Sequence, residues 1–236
     1  MISPEVKNSS ATRYKIAGIY IILIAGAIWH FLNIFPDLLG HSASLIMALI
    51  SVWILMECHR FLRQKAMEEG GKDSNIRQFY IWTAVVFVLS IGIEIIGVHS
   101  GHIFGSYTYG DRLWPVIGDV PLAIGFSWIN LLLSSAAILG GMKWIDYAKR
   151  PWLAAALAGL LMVLFDLILE PAAGRLGYWS WAGGTIPLQN YIAWWILGFL
   201  FARAGIAFSV FARGLPPIIR HAYFAQLAYF ILVNLG

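Results

Sequence analysis

Charge, cysteine and extended polar stretches are what this sequence has least of. Asp, Glu, Lys and Arg make up 12% of its 236 residues, against roughly 25% in a soluble domain. That is too little charge to clothe a water-facing surface. The single cysteine, Cys58, excludes an intramolecular disulfide and any Cys-rich metal site. Six histidines without an H-x-x-x-H repeat are too few for a membrane di-iron oxidase. Aspartate-rich pairs that would hold magnesium and a diphosphate are missing, which argues against a prenyl-diphosphate enzyme. A Gly-x-Ser-x-Gly elbow and a P-loop are missing too. No water-facing basic surface is present, so nucleic acid is not an expected partner.

Apolar residues fill the gap. They account for 60% of the chain, and the mean hydropathy is +0.74. Apolar stretches near 20 residues recur at about 14–34, 43–64, 79–98, 121–142, 152–170, 189–208 and 217–235. Each is long enough to cross about 30 Å of hydrocarbon. The expected fold class is all-α: a polytopic bundle of about seven transmembrane helices forming one integral domain over residues 1–236, multi-pass in the cell membrane. Seven spans also suggest a retinal protein, but the last span contains no lysine for a Schiff base.

The few charges report topology. With an N-terminus in the cytoplasm, all of the 16 Lys and Arg except Arg112 and Arg175 fall on the cytoplasmic side, as the positive-inside rule requires. Met1 to Arg13 is polar and lacks the apolar core and cleavage site of a signal peptide, so the first helix is expected to remain in the mature protein. Glu68-Glu-Gly-Gly-Lys-Asp73 reads as a mobile cytoplasmic loop. Pro151 and Pro216-Pro217 open helices five and seven, where a missing N–H costs least, and Pro121 and Pro187 fit the same role for helices four and six.

The two loops on the other side, 99–120 and 171–188, are rich in Gly, Tyr and Trp and share a register. Gly118/Gly184, Val120/Ile186, Pro121/Pro187, Leu122/Leu188 and Trp128/Trp194 keep a single offset. In each copy an acid late in an apolar helix is followed by an aromatic-x-aromatic segment, Tyr107-Thr-Tyr109 or Trp179-Ser-Trp181, and then by a Pro-Leu that starts a helix. Trp and Tyr favour a bilayer interface in any case, but an interfacial belt needs no register. A weak internal repeat of the kind found in transporters accounts for it equally.

Four acids lie within the spans: Glu57, Glu94, Asp166 and Glu170. An intramembrane carboxyl is costly and therefore a functional candidate. Glu57 falls near the cytoplasmic end beside His59 and Arg60, where an ion pair explains it. Glu94 and Asp166 share a depth near the opposite end, and Asp166 and Glu170, four apart, share a helix face. A carboxylic acid kept neutral in apolar surroundings can donate a proton at ordinary pH. The rings of Tyr107, Tyr109, Trp179 and Trp181 can stabilise a cation, with Tyr178, Trp128 and Trp194 beside them. Asn190 and Asn130 can position a water, or join helices; the acids too can serve only as interhelical hydrogen-bonding groups. His99-Ser-Gly-His102, in a glycine loop, is a weak metal-binding pattern, and no metal site is expected.

Two segments carry a family resemblance. The first is Glu94-x-x-Gly97, Gly101, Phe104-Gly105-x-Tyr107-x-Tyr109, Pro115, Val120-Pro121 and Trp128. The second is Asp166-Leu-x-Leu-Glu-Pro171, Gly177-Tyr-Trp-x-Trp181, Gly184-x-Ile-Pro-Leu-x-Asn190 and Trp194. Together, over residues 90–195, they resemble the membrane carotenoid biosynthesis family, which includes carotenoid 1,2-hydratases acting on gamma-carotene and on bisanhydrobacterioruberin. Glu170 for an aspartate, His99-Ser100 for a basic-Thr pair, and Gly118-Asp119 depart from the family pattern and bear on substrate more than on reaction class. The resemblance implies addition of water, without cofactor, across the terminal 1,2 double bond of an acyclic or monocyclic carotenoid such as gamma-carotene, lycopene or a bisanhydrobacterioruberin-like molecule. On that reading Asp166 first and Glu94 second donate the proton, the aromatic rings hold the tertiary cation, and Asn190 or the second acid holds the water, in a pocket near the outer leaflet. A cyclase would use the same donor and quench the cation with an internal alkene; a small-solute transporter or lipid-binding protein would use none of this chemistry.

Overall fold

A computed structural model describes residues 10–68 and 74–236. Lys7, Lys72 and most of the two polar segments read above, Met1–Arg13 and Glu68–Asp73, lie outside the described residues. Among the described residues, seven helices are long and apolar enough to cross a membrane: α1 (Ser10–Phe31), α2 (Pro36–Glu68), α3 (Ser74–Ser100), α4 (Leu122–Gly140), α5 (Pro151–Arg175), α6 (Leu188–Ala207) and α7 (Ile218–Leu235). The order and the number are those that hydropathy predicts. The ends differ most at α2, which begins at Pro36; α3 begins earlier than expected, at Ser74, and α5 runs through Pro171 to Arg175.

Cross-chain contacts define the two ends of the bundle. At one, Lys15 of α1 meets Glu57 of α2 at 2.7 Å, and the Asn75 side chain donates to Ser209 O. At the other, Arg112 meets Asp37 at 3.4 Å, and the Gln189 side chain donates to His102 O. Glu57 also bonds Arg60 at 2.7 Å, while His59 turns to the Tyr80 hydroxyl. Its ion pairs thus lie at the end away from the aromatic loops.

α4 is the most enclosed of the seven spans, with α2, α3, α5 and α7 packed around it. α1 packs mainly on α7 and α5 on α6. Glycine sets the last approach: a Cβ on Gly159 would stand 2.6 Å from Trp195 O of α6. Small residues of this kind let membrane helices approach backbone to backbone.

The aromatic loops do not merely cover the helix ends. Strand β1 (Tyr107–Tyr109) pairs antiparallel with β4 (Trp179–Trp181), in the register Tyr107↔Trp181, Thr108↔Ser180, Tyr109↔Trp179. Gly110 N donates to Tyr178 O and Ala182 N to Ser106 O, which extends the ladder at both ends. A second small pair, β2 (Val116–Ile117) with β3 (Val120–Pro121), folds the remainder of the first loop back to α4. Antiparallel pairing of two aromatic-x-aromatic triplets is a two-fold arrangement. The stacking of Trp128 on Trp194, with centroids 4.4 Å apart and planes 18° apart, brings the corresponding tryptophans of α4 and α6 face to face.

Candidate functional site

Beneath the β1–β4 ribbon lies a cavity of about 80 Å³ lined by residues of α2 to α7 and of the ribbon itself. Eleven of the twelve side chains singled out in the sequence line it: Glu94, Glu170, Tyr107, Tyr109, Tyr178, Trp179, Trp181, Trp128, Trp194, Asn130 and Asn190. Asp166 does not.

Glu94 comes from the last turns of α3 and is 4% exposed. Its Oε2 accepts the Tyr107 hydroxyl at 2.5 Å and the Tyr109 hydroxyl at 3.1 Å, and its Oε1 accepts Trp128 Nε1–H at 3.1 Å. Gly97, one turn on, is what lets the loop come this close. A Cβ there would stand 2.6 Å from the Phe104 ring, which packs edge-on to Tyr107. Gly105 follows at φ +103°, where a side chain would be strained and would collide with Pro187. Burial first and, whenever Glu94 is ionised, its charge second push the Tyr107 and Tyr109 hydroxyls well above the usual phenol range. Both therefore remain hydroxyls at any ordinary pH.

Glu170 is the corresponding group of the second half. Its Oε2 accepts Trp179 Nε1–H at 2.8 Å and Trp181 Nε1–H at 2.7 Å, and its Oε1 accepts Asn190 Nδ2–H at 3.1 Å. Equal spacing in the sequence assigns these tryptophans to Asp166; the structure gives them to Glu170. The reason is the length of α5. By continuing through Pro171 the helix carries Glu170 to the depth of the ribbon and leaves Asp166 about 6 Å further down, at 1.5 Å per residue. Asp166 is 0% exposed and reaches the site only through Asn190, whose Nδ2–H donates to its Oδ2 at 2.8 Å. Asp166 Oδ1 has no hydrogen-bond partner among the described residues.

The remaining polar groups sit on the far wall. Asn130 Nδ2–H donates to Gln226 Oε1 at 3.0 Å, and Ser134 donates to Asn130 Oδ1 at 3.2 Å. Asn130 is therefore bound to α7 on one side and its own helix on the other, while Asn190 bridges two carboxyls. Gln226 is a cavity residue that reading the sequence missed. Its signal was available: a lone amide in the middle of an apolar span. Phe104, which belongs to the motif of the first loop, lines the cavity with Phe165 and Phe230; nothing in sequence sets the last two apart from other packing aromatics.

His99 lies 3.4 Å from Asp119, with both side chains largely exposed. Ser100 Oγ accepts the His102 backbone N–H. Neither histidine lines the cavity.

The site therefore offers two buried carboxyls from different helices, each with three hydrogen bonds, and a lining of aromatic faces between them. It can move protons at an apolar molecule and hold positive charge against π faces.

Comparison with known proteins gives two findings. A family model described as carotenoid biosynthesis protein matches residues 45–234. A curated relative, a bisanhydrobacterioruberin hydratase of Haloarcula japonica, is 33% identical over 132 residues, covering 50% of this chain and 44% of the relative. The chain thus spans less than half the length of that protein. No solved structure matches it.

Proposed function

The chain belongs to the carotenoid biosynthesis protein family, and on that premise we propose that it is a carotenoid hydratase, adding water across the terminal 1,2 double bond of an acyclic end group. The end group enters the cavity from the bilayer. A cavity carboxyl protonates C2, a tertiary cation forms at C1, and water attacks C1 to give a tertiary alcohol. Positioned general acid catalysis contributes typically 10²–10⁴-fold, and fixed rings and dipoles around the cation supply most of the rest. The substrate class is gamma-carotene, lycopene or a bisanhydrobacterioruberin-like carotenoid. Addition of water needs no redox cofactor.

One observation carries this reading: Glu94 and Glu170, on separate helices, face a single aromatic-lined cavity. Their placement favours Glu170 over Asp166 as the partner of Glu94 in the chemistry, with Asp166 acting through Asn190. The relative's identity as a hydratase favours capture of the cation by water over capture by an internal alkene.

The test is expression in cells that make lycopene, gamma-carotene or bisanhydrobacterioruberin. A product heavier by one water supports the reading; a product of unchanged mass and new ring structure would make the chain a cyclase. Purified protein that binds or moves a solute without carotenoid turnover would make it a binding or transport protein.

We also propose that the ribbon end faces outward across the cell membrane, since nearly all Lys and Arg belong to the other end. A Thr108→Cys variant should react with an impermeant maleimide on intact cells, and Lys149→Cys only after permeabilisation.

A further inference from the structure

We infer that the two cavity carboxyls have opposite duties, Glu94 as the proton donor and Glu170 as the ionised base that activates water, and that the kind of group bonded to each sets this division. The inference rests on the hydratase reading above.

The hydrogen-bond inventory decides it. An indole N–H donates and cannot accept. Glu170 Oε2 faces two of them, from Trp179 and Trp181 at 2.8 and 2.7 Å, and Oε1 faces an amide N–H. Every partner aims a hydrogen at this carboxyl. A proton on Oε2 would stand against two N–H groups with no acceptor, whereas the ionised form satisfies all three donors. Hydrogen bonds to a charged acceptor are roughly twice as strong as neutral ones.

Glu94 Oε2 faces two phenol hydroxyls instead. A hydroxyl can donate or accept, by rotation about its C–O bond. When Glu94 carries a proton on Oε2, either hydroxyl turns to accept it; when Glu94 has given the proton up, both turn back to donate. The Trp128 N–H on Oε1 is satisfied in both states. Glu94 thus has partners for both forms of a group that must alternate between them, and Glu170 has partners suited to one.

The step balances. The π pair of C1=C2 takes the proton from Glu94 Oε2 and forms the new C2–H bond, leaving a carbocation at C1 and Glu94 ionised. The oxygen of a water forms the C1–O bond while Glu170 takes one of its protons. Return of that proton from Glu170 to Glu94 through water completes the cycle, and the sum is alkene plus water to tertiary alcohol.

Deuterium separates the two duties. Purified protein in lipid discs is given lycopene in D2O, and both the product and the recovered substrate are analysed by mass. Wild type should give an alcohol bearing carbon-bound deuterium. Glu170→Gln should lose hydration by at least a hundredfold, yet still place deuterium in the recovered lycopene, because the uncaptured cation returns a C2 proton to Glu94. Glu94→Gln should give neither alcohol nor label.

The double substitution Trp179→Phe, Trp181→Phe keeps both carboxyls and should show the Glu170→Gln pattern in weaker form, which guards against a Glu170 variant that fails to fold. Label in Glu94→Gln with none in Glu170→Gln would reverse the duties. Absence of label from both Glu170→Gln and the indole pair would overturn the division. In both cases wild-type hydration, and the hydratase reading, would stand. A wild type that forms no alcohol from lycopene, gamma-carotene or bisanhydrobacterioruberin would overturn that reading and this inference with it.

Discussion

Tyr107 stands directly across the ribbon from Trp181, their ring centroids 5.0 Å apart, and each is bonded to a different acid, Tyr107 to Glu94 and Trp181 to Glu170. The neighbouring pair, Tyr109 and Trp179, repeats the relationship at 5.9 Å. The ribbon thus holds two carboxyls from helices α3 and α5 in fixed relation through four rings, and disturbing a ring should be felt at its acid before it is felt in the fold.

Trp181→Phe removes one N–H bond to Glu170 and keeps most of the ring. A hydrogen bond to a charged group contributes about 1.5–3 kcal/mol, so carotenoid hydration should fall roughly ten- to hundredfold in kcat/KM. Thr108→Val, at the exposed Thr108–Ser180 contact of 3.3 Å, should change it by less than about twofold, since surface changes of this kind are small. Comparable losses in both variants would show that ribbon packing, and not the bond to Glu170, matters.

Asp166→Asn tests the place of the acid that does not line the cavity. Acting only through Asn190, Asp166 should contribute less than a group at the reacting atoms. Hydration should drop by under about tenfold in Asp166→Asn and by about a hundredfold or more in Glu170→Gln, the loss of a positioned acid or base being worth 10²–10⁴. Measured kcat values in the opposite order would restore Asp166 to the chemistry.

Gly159→Ala addresses the seam between α5 and α6. The added methyl would meet Trp195 O at 2.6 Å, a backbone atom that cannot rotate away. Overpacking of this sort costs about 1–3 kcal/mol, to be read as a lowered thermal midpoint in detergent. Gly174→Ala, with nothing within 4 Å of the new atom, should leave the midpoint where it is.

Glu57→Gln provides a contrast at the far end of the bundle. It breaks ion pairs to Lys15 and Arg60, both substantially exposed, and partly solvated pairs contribute about 0–1 kcal/mol. Hydration should stay within about twofold of wild type. A large loss of turnover would mean that this fourth intramembrane acid also serves the reaction.

Much of this was legible in the sequence, because the bilayer constrains it so strongly. Runs of about 20 apolar residues have few alternatives to a spanning helix, and all seven are helices. The repeated order of acid, aromatic-x-aromatic segment and Pro-Leu likewise marked Tyr107, Tyr109, Trp179 and Trp181 together. The assignment of acid to aromatic was not legible. Equal spacing makes Asp166 the counterpart of Glu94, but spacing along a chain gives depth only if the helix ends are known. The apolar stretch ends at about 170, and α5 continues five residues beyond it, to Arg175. Gln226 was missed for a different reason: one amide in an apolar helix is as often interhelical glue as part of a site, and its meeting with Asn130 depends on how α4 packs on α7.

Among the described residues, the donors to the Glu94 carboxyl come from residues 107–128 and those to the Glu170 carboxyl from residues 179–190, so the halves share a ladder and ring contacts but no donors to these two acids. Each aromatic triplet therefore serves the carboxyl of its own half, and a change in one triplet can reach the other carboxyl only through the ladder and the ring contacts.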